Sequence, residues 1–377
     1  MASSETLSRG ESREKRIVVS GYYGSKNAGD EAMLAAMLEV LCDLEPKLNI
    51  TVISASPVDT AARHGVESVS WLDFPSIIKA LRGADLLISG GGSLLQNVTS
   101  RRSLYYYLAI IALAESLGTK VMLYAQGIGP ICGGIARRVM RTVVSRVDLI
   151  TVRDQGSLEE LSSLGISRPH IERTADPVLA IHPVGKETGR AIFKSYHAEG
   201  AKPVVGISVR DWRGWHHFKE VLAEVSDMIV RELGAQVVFL PMQFPEDVKA
   251  AESVRELTKE PCTVLADEYT TAEFLSLVAN MDLMLGIRLH ALIFAGVMGV
   301  PMLGISYDPK IDRFLDSIGE KPVGNLKNVT AEELMAEVRR KWNDKQAFRR
   351  KNAELMSSLR EMAARNAELA VGLMEKK

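Results

Sequence analysis

The chain has 377 residues with 46 basic and 47 acidic side chains, a formal net charge of −1, 46% apolar and 25% charged residues. That length predicts two domains, and the near-average composition supplies each with enough apolar residues for its own core. The charge balance argues against a general nucleic-acid binder, which carries a basic excess, although a local basic patch remains compatible with it.

Residues 1 to about 15 are polar and charged; their composition predicts disorder, and the lack of an apolar run predicts no signal peptide. Arg16–Ser20 (RIVVS) then reads as a buried strand, followed by a glycine-bearing loop and an apolar-periodic helix from Asp30 to Leu44. The unit recurs, with Ile50–Ser54, Ala84–Ser89, Lys120–Ala125 and Leu149–Val152 as strands and helical patterns between them. Such alternation predicts a parallel sheet covered by helices on both faces. The stretch Ala180–Ala201 carries Pro183, Gly185 and Gly189 with little strand character, so the domain boundary is placed there.

A second series begins near Pro203: strands Val204–Val209, Gln236–Leu240, Thr263–Leu265, Leu283–Leu285 and Pro301–Ile305, with helices such as Phe218–Leu233 and Thr271–Asn280. The expected fold is α/β, two doubly wound Rossmann-like domains facing a cleft, over residues 16–185 and 200–345. Residues 346–377 are expected to form a helix that packs back across both. The longest apolar run, Ala291–Ser306, is broken by Gly296, Gly299, Pro301 and Gly304. It falls short of the roughly 20 residues a spanning helix needs. Cys42, Cys132 and Cys262 match no zinc spacing; so low and odd a count fits a reducing cytoplasm better than a disulfide-built secreted domain.

Glycine loops at strand ends mark the expected cleft wall. Gly21–Asp30 (GYYGSKNAGD) permits close ligand approach, and Asp30 suits an N-cap with the Met33 amide as its donor. The loop is neither a Walker loop nor GxGxxG, so nucleotide binding does not follow, and a plain strand-to-helix turn explains it equally well in isolation. Gly90, Gly91 and Gly92, then Ser93 and Gln96, follow the next central strand, and Gln126–Pro130 (QGIGP) repeats the theme.

The sharpest cluster is Gly286–His290 (GIRLH), where Arg288 and His290 bracket Leu289 before an apolar helix. A guanidinium clamps a carboxylate or phosphate with two parallel hydrogen bonds, and an imidazole beside it exchanges protons near neutral pH. Arg210 supplies a second cation after its own strand, with Asp211, Arg213 and His216 on the following loop and Trp212 and Trp215 as sugar-stacking faces. Arg153-Asp154 reads as a site or as an internal ion pair, and Asp176-Pro177 as a turn. Basic runs around Arg137–Arg146 and Arg339–Lys351 read as solvated helix faces, with docking on an anionic membrane as the lesser alternative. No metal-ligand cluster is visible, so no metal site is expected.

The segments GYYGSKNAGDE, SGGGSLLQ, RDQGS, ADPVL, ISVRDW and GIRLHALIFAGVMGVPMLGISYDPK resemble the polysaccharide pyruvyl transferase family, over about residues 16 to 312. The likeness is strongest to bacterial enzymes that place a 4,6-linked pyruvate ketal on β-N-acetylmannosamine of cell-wall polymers, an anchor for S-layer-homology domains. The resemblance implies a glycosyltransferase-B-like fold, phosphoenolpyruvate as donor and a lipid-diphosphate-linked acceptor glycan. It implies no further cofactor, and a cytoplasmic protein in peripheral contact with the inner leaflet. Carried over by motif, Arg288 and His290 are catalytic, while Arg210 and Leu289, through its backbone, bind the donor. Asn27, Gly29, Asp30, Gly91, Gly92, Gln96 and Asp211 are then expected on the acceptor side, with Asp30 or Asp211 as the base for the sugar hydroxyl. A nucleotide-sugar-dependent glycosyltransferase is the main alternative on this fold; a non-catalytic polymer-binding protein is the lesser one.

Overall fold

The computed structural model describes residues 14–375 apart from 99, 199 and 201, so the expectations for the first residues fall almost wholly outside the described residues. The N-terminal sheet contains β1 (Arg16–Ser20), β2 (Asn49–Ser54), β3 (Glu67–Ser70), β4 (Leu86–Gly90), β5 (Lys120–Gln126), β6 (Leu149–Val152) and β7 (His170–Arg173). Its order is β3-β2-β1-β4-β5-β6-β7, parallel throughout. The C-terminal sheet contains β8 (Val204–Ser208), β9 (Gln236–Phe239), β10 (Cys262–Val264), β11 (Leu283–Gly286), β12 (Met302–Ser306) and β13 (Gly324–Asn325), ordered β10-β9-β8-β11-β12-β13. Both sheets are doubly wound, and in each the chain direction reverses beside the first strand. The switch-point crevices therefore open between β1 and β4 and between β8 and β11, where such folds bind ligands.

Central strands are apolar on both sides because helices cover both faces: Val18, Val19, Leu87 and Ile88 are buried, as are Val205, Ile207, Met284 and Leu285. This explains why those strands are legible in sequence. The edge strands β3 (ESVS), β7 (HIER) and the short β13 carry polar or exposed residues and show no such signal.

The two Rossmann-like domains are in direct contact. Ala32, Met33 and Ala36 of the helix Ala28–Leu44 share one hydrophobic cluster with Leu289, Leu292 and Ile293 of the helix Leu289–Val297. Polar contacts extend the junction: the Ala28 amide donates to the Met242 carbonyl at 2.8 Å, the Phe244 amide to Lys26 at 3.1 Å, and Asn27 Nδ2 to Gln243 Oε1 at 2.7 Å.

The helix Lys345–Glu375 spans both domains. Near its start, Asn352 donates to the Gly296 carbonyl; further on, Ala367 and Ala370 join the core under β1 and β5. Asn366 is fully buried and satisfied, accepting from Thr151 Oγ1 at 2.6 Å and Thr174 Oγ1 at 2.8 Å while donating to the Ala175 and Ala363 carbonyls. A buried amide with its bonds made fixes the register of the helix on the sheet. Among the described residues, no helix is long and apolar enough to cross a membrane.

Candidate functional site

A cleft of about 850 Å³ lies between the carboxyl ends of the two sheets. Loops after β1, β3 and β4 form one wall, with Asn27, Asp30, Trp71, Gly92 and Gln96; Arg210, Arg288, Leu289, His290, Tyr307 and Lys310 come from the other domain. The first loop is shaped by its cap. Asn27, not Asp30, caps the helix Ala28–Leu44, its Oδ1 accepting from the Gly29 amide at 3.0 Å and the Asp30 amide at 3.2 Å. Asp30 thus sits in the first turn, free to face the cleft, and the expected pairing with the Met33 amide is corrected.

His290 lies directly against this turn. A Cβ at Gly29 would stand 2.0 Å from His290 Nδ1, so only glycine lets the imidazole rest on the backbone there. Gly29 is therefore the seat of His290, and it also lines the cleft. Behind the ring stands Asp176, whose Oδ2 is 3.7 Å from His290 Nε2 and 2.6 Å from Arg153. The first distance is too long for a direct hydrogen bond, and Nε2 is buried with no partner among the described residues. Burial pushes the Asp176 carboxyl up, but His290, Arg153 and the Val178 amide outweigh it and hold the group well below the ordinary range. Arg153, which also donates to Ser93, is hence an internal ion pair at the cleft edge.

Asp30 has the opposite environment. Desolvation raises its carboxyl from 3.8 to about 6, Glu31 adds to the rise, and His290, Lys310 and Arg153 pull it back. A carboxyl poised near neutrality beside an imidazole is suited to proton transfer. Unfolded, Asp30 ionises near 3.8; folded, near 6. The folded protein therefore binds more protons in that window and loses stability as pH rises through it. Asp30→Asn is expected to raise the melting temperature at about pH 7.5, by no more than the roughly 3 kcal/mol equivalent to two pKa units, and by much less at about pH 4.5. A melting temperature unchanged or lowered at the higher pH would refute this.

The cations differ in how free they are. Arg288 directs Nε to Asp247 Oδ2 at 2.8 Å and Nη2 to Asp247 Oδ1 at 2.5 Å. Its expected two-bond clamp is thus already occupied by the protein, leaving only the other edge of the guanidinium for a ligand. Arg210 lies over the rings of Trp212 and Tyr307, each 4.9 Å from the guanidinium carbon, and donates to the Tyr307 hydroxyl at 2.6 Å. Its Nε is buried without a partner, and among the described residues no carboxylate pairs with it. Lys310, over the same Tyr307 ring at 5.6 Å, reaches the same cleft.

Several expected residues stand elsewhere. Asp211 pairs with Lys219 and does not line the cleft, so Asp30 alone of the two candidate bases is there. Gly91 (φ +73°) shapes the loop over Met33 and Tyr23, whereas Gly92 lines the cleft beside Asp30. Gln126 is fully buried and holds that loop by donating to the Gly92 carbonyl at 2.8 Å. Trp212 supports Arg210, and Trp215 lies under Lys327 at 5.0 Å; neither lines the cleft. Of the basic runs, Arg137 pairs with Glu160, Arg146 with Glu115 and Arg339 with Glu232.

The sequence singles out neither Tyr307 and Lys310, which the strand-end rule applied to β12 would have found, nor Trp71, for which the unrecognised β3 left no signal, nor Tyr106, which sits inside the helix Arg101–Ser116.

The polysaccharide pyruvyl transferase profile matches residues 27–309. The amylovoran biosynthesis protein AmsJ of Erwinia amylovora is 22% identical over 247 residues, 61% of this chain and 58% of AmsJ's own length. In fold, the chain is similar to S. aureus MnaA in a structure with UDP (TM-score 0.66, 12% identity, 96% of this chain and 98% of that one). It is similar also to Neisseria meningitidis UDP-GlcNAc 2-epimerase bound to UDP-GlcNAc (TM-score 0.65, 13% identity, 95% and 100% covered). Anabaena HepE in complex with UDP-glucose gives a TM-score of 0.63 at 13% identity, with 96% and 100% covered. At these identities the structural likeness shows the glycosyltransferase-B-like fold alone. The family match runs from the Asn27 cap through Asp30, Asp176, Arg210 and the Arg288–His290 turn to the segment after β12, and so takes in both walls of the cleft: the chain belongs to the polysaccharide pyruvyl transferase family.

Proposed function

We propose that the protein is a ketal pyruvyl transferase that moves pyruvate from phosphoenolpyruvate to a 4,6-diol of a β-N-acetylmannosamine residue. The acceptor in this reading is a lipid-diphosphate-linked cell-wall polymer precursor, met at the cytoplasmic leaflet, and the product serves S-layer anchoring. The observation that carries the reading is that Arg210, with no carboxylate partner among the described residues and a buried Nε left unsatisfied, lines one cleft with Lys310, His290 and Asp30. Native proteins satisfy nearly all buried polar groups, so a cation left in this state at a cleft wall suits an anionic ligand. Arg210 and Lys310 suit the anionic donor, with the free edge of Arg288 and the amides at the start of the helix Leu289–Val297 beside them.

In the reaction, the donor's methylene carbon takes a proton and becomes a methyl group, leaving an oxocarbenium-like C2. One sugar hydroxyl attacks C2 and gives up its proton; the C2–O bond to phosphate then breaks. The second hydroxyl closes the ketal, and its proton leaves with phosphate. His290 is assigned the acid, held by Asp176, and Asp30 the base. No cofactor beyond the donor enters this reading.

Phosphate release from phosphoenolpyruvate with a β-N-acetylmannosamine-containing disaccharide, followed by mass spectrometry, is the test. Release matched by a product heavier by one pyruvyl ketal is expected. No release, together with thermal protection by a uridine diphosphate sugar and none by phosphoenolpyruvate, would replace this reading with a nucleotide-sugar glycosyltransferase, the class of ligand named for the fold neighbours.

A further inference from the structure

The two walls of the cleft differ in chemistry. Arg210, Lys310 and Arg288 give the C-terminal wall its charge; the other wall carries Arg102 and Arg153 and also an aromatic face, Trp71 from the loop after β3 with Tyr106 and Tyr107 from the helix Arg101–Ser116. Trp71 and Tyr106 meet edge to face at 5.6 Å and 76°, and Tyr106 meets Tyr107 likewise at 5.3 Å and 76°. The Tyr106 hydroxyl donates to the Trp71 carbonyl at 3.1 Å, tying the loop after β3 to the helix Arg101–Ser116. Burial pushes the Tyr106 phenol up to about 12, so it remains a donor.

Tyr107 is the buried base of this stack, yet the indole of Trp71 is left 42% exposed. A large aromatic ring that is held in place but uncovered forgoes burial that would stabilise the fold. Ser93, Ser100 and Ser103 border the same stretch of cleft with hydroxyls. An apolar ring face edged by hydroxyls matches a pyranose, which has a flat C–H face and a rim of hydroxyl groups.

We infer that Trp71 and Tyr106 form the subsite on which a pyranose ring of the neutral acceptor glycan stacks, opposite the cationic donor side. This rests on the transferase reading above, and binding measured without turnover separates the two. Calorimetric titration of the disaccharide should show at least a tenfold weakening in Trp71→Ala, near-native binding in Trp71→Phe, and a smaller weakening in Tyr106→Phe. In kinetics, Trp71→Ala should raise KM for the acceptor and leave KM for phosphoenolpyruvate unchanged. Trp71 is exposed, so the variants are expected to melt like the native protein.

Native affinity for the disaccharide in Trp71→Ala, no disaccharide binding by the native protein, or equal losses for both substrates would overturn the subsite. So would a uridine nucleotide whose binding depends on Trp71 in place of the glycan. Disaccharide binding that needs Trp71, in a protein that forms no ketal, would keep the subsite and overturn only the transferase reading.

Discussion

His290→Ala is expected to fold normally and to lose turnover by roughly 10²- to 10⁴-fold, the usual contribution of a positioned acid or base. The imidazole sits on Gly29, faces Asp176 at 3.7 Å and has no hydrogen-bond partner on its buried Nε2 among the described residues. Its removal leaves Arg210 and Lys310 in place, so in the proposed reaction KM for phosphoenolpyruvate should move little while kcat falls. The variant should also titrate differently: His290 pulls the Asp30 carboxyl down, so without it the acid limb of any remaining activity shifts to higher pH. Gly29→Ala is a second route to the same defect, because the new methyl claims space held by the ring. Turnover close to native in both variants, with circular dichroism unchanged, would remove His290 from the mechanism.

Asp247→Ala carries the largest expected loss of stability, roughly 3–5 kcal/mol, as when one partner of a buried ion pair is removed. Asp247 is 1% exposed, and its carboxylate receives Arg288 through two hydrogen bonds. It also accepts from the Met242 and Gln243 amides at 3.1 and 3.0 Å. Met242 and Gln243 in turn bond to Ala28 and Asn27, so the loss reaches the junction that places Asp30 opposite His290. The check is denaturant unfolding of Asp247→Ala, Arg288→Met and the double variant. If the pair acts as a unit, the double variant should lose clearly less than the sum of the singles. Additive losses would mean that Arg288 draws its stability from elsewhere. An Arg288→Lys variant should also fare poorly, since an ammonium cannot reproduce the forked contact.

The Asp247 pair shows where reading the chain linearly stops. Arg288 stands out in sequence because it follows a strand, precedes an apolar helix and neighbours His290, all local features. Asp247 lies in a helix whose pattern gives it no distinction from other acidic residues in the first turn. Gly29 was legible as a glycine needed for close approach, and the group that approaches it in the fold is the protein's own imidazole. Asp211, equally placed after a strand, turned outward to Lys219. Trp71 remained invisible because the strand before it is an edge strand without an apolar run, and Tyr106 because it lies inside the helix Arg101–Ser116, away from any strand end.

By itself, the sequence determined the alternation of strands and helices, the two Rossmann-like domains, the cleft at their strand ends and the Arg288–His290 turn. Those follow from periodicity and glycine placement, which act over a few residues. Only the tertiary structure decided that Asp247 occupies Arg288, that Asp176 backs His290, that Gly29 seats its ring, and that desolvation brings Asp30 near neutrality. The first is a contact between distant segments within the C-terminal domain; the other three depend on how the two sheets dock, and docking is set by shape and burial across the whole interface, which no local pattern encodes.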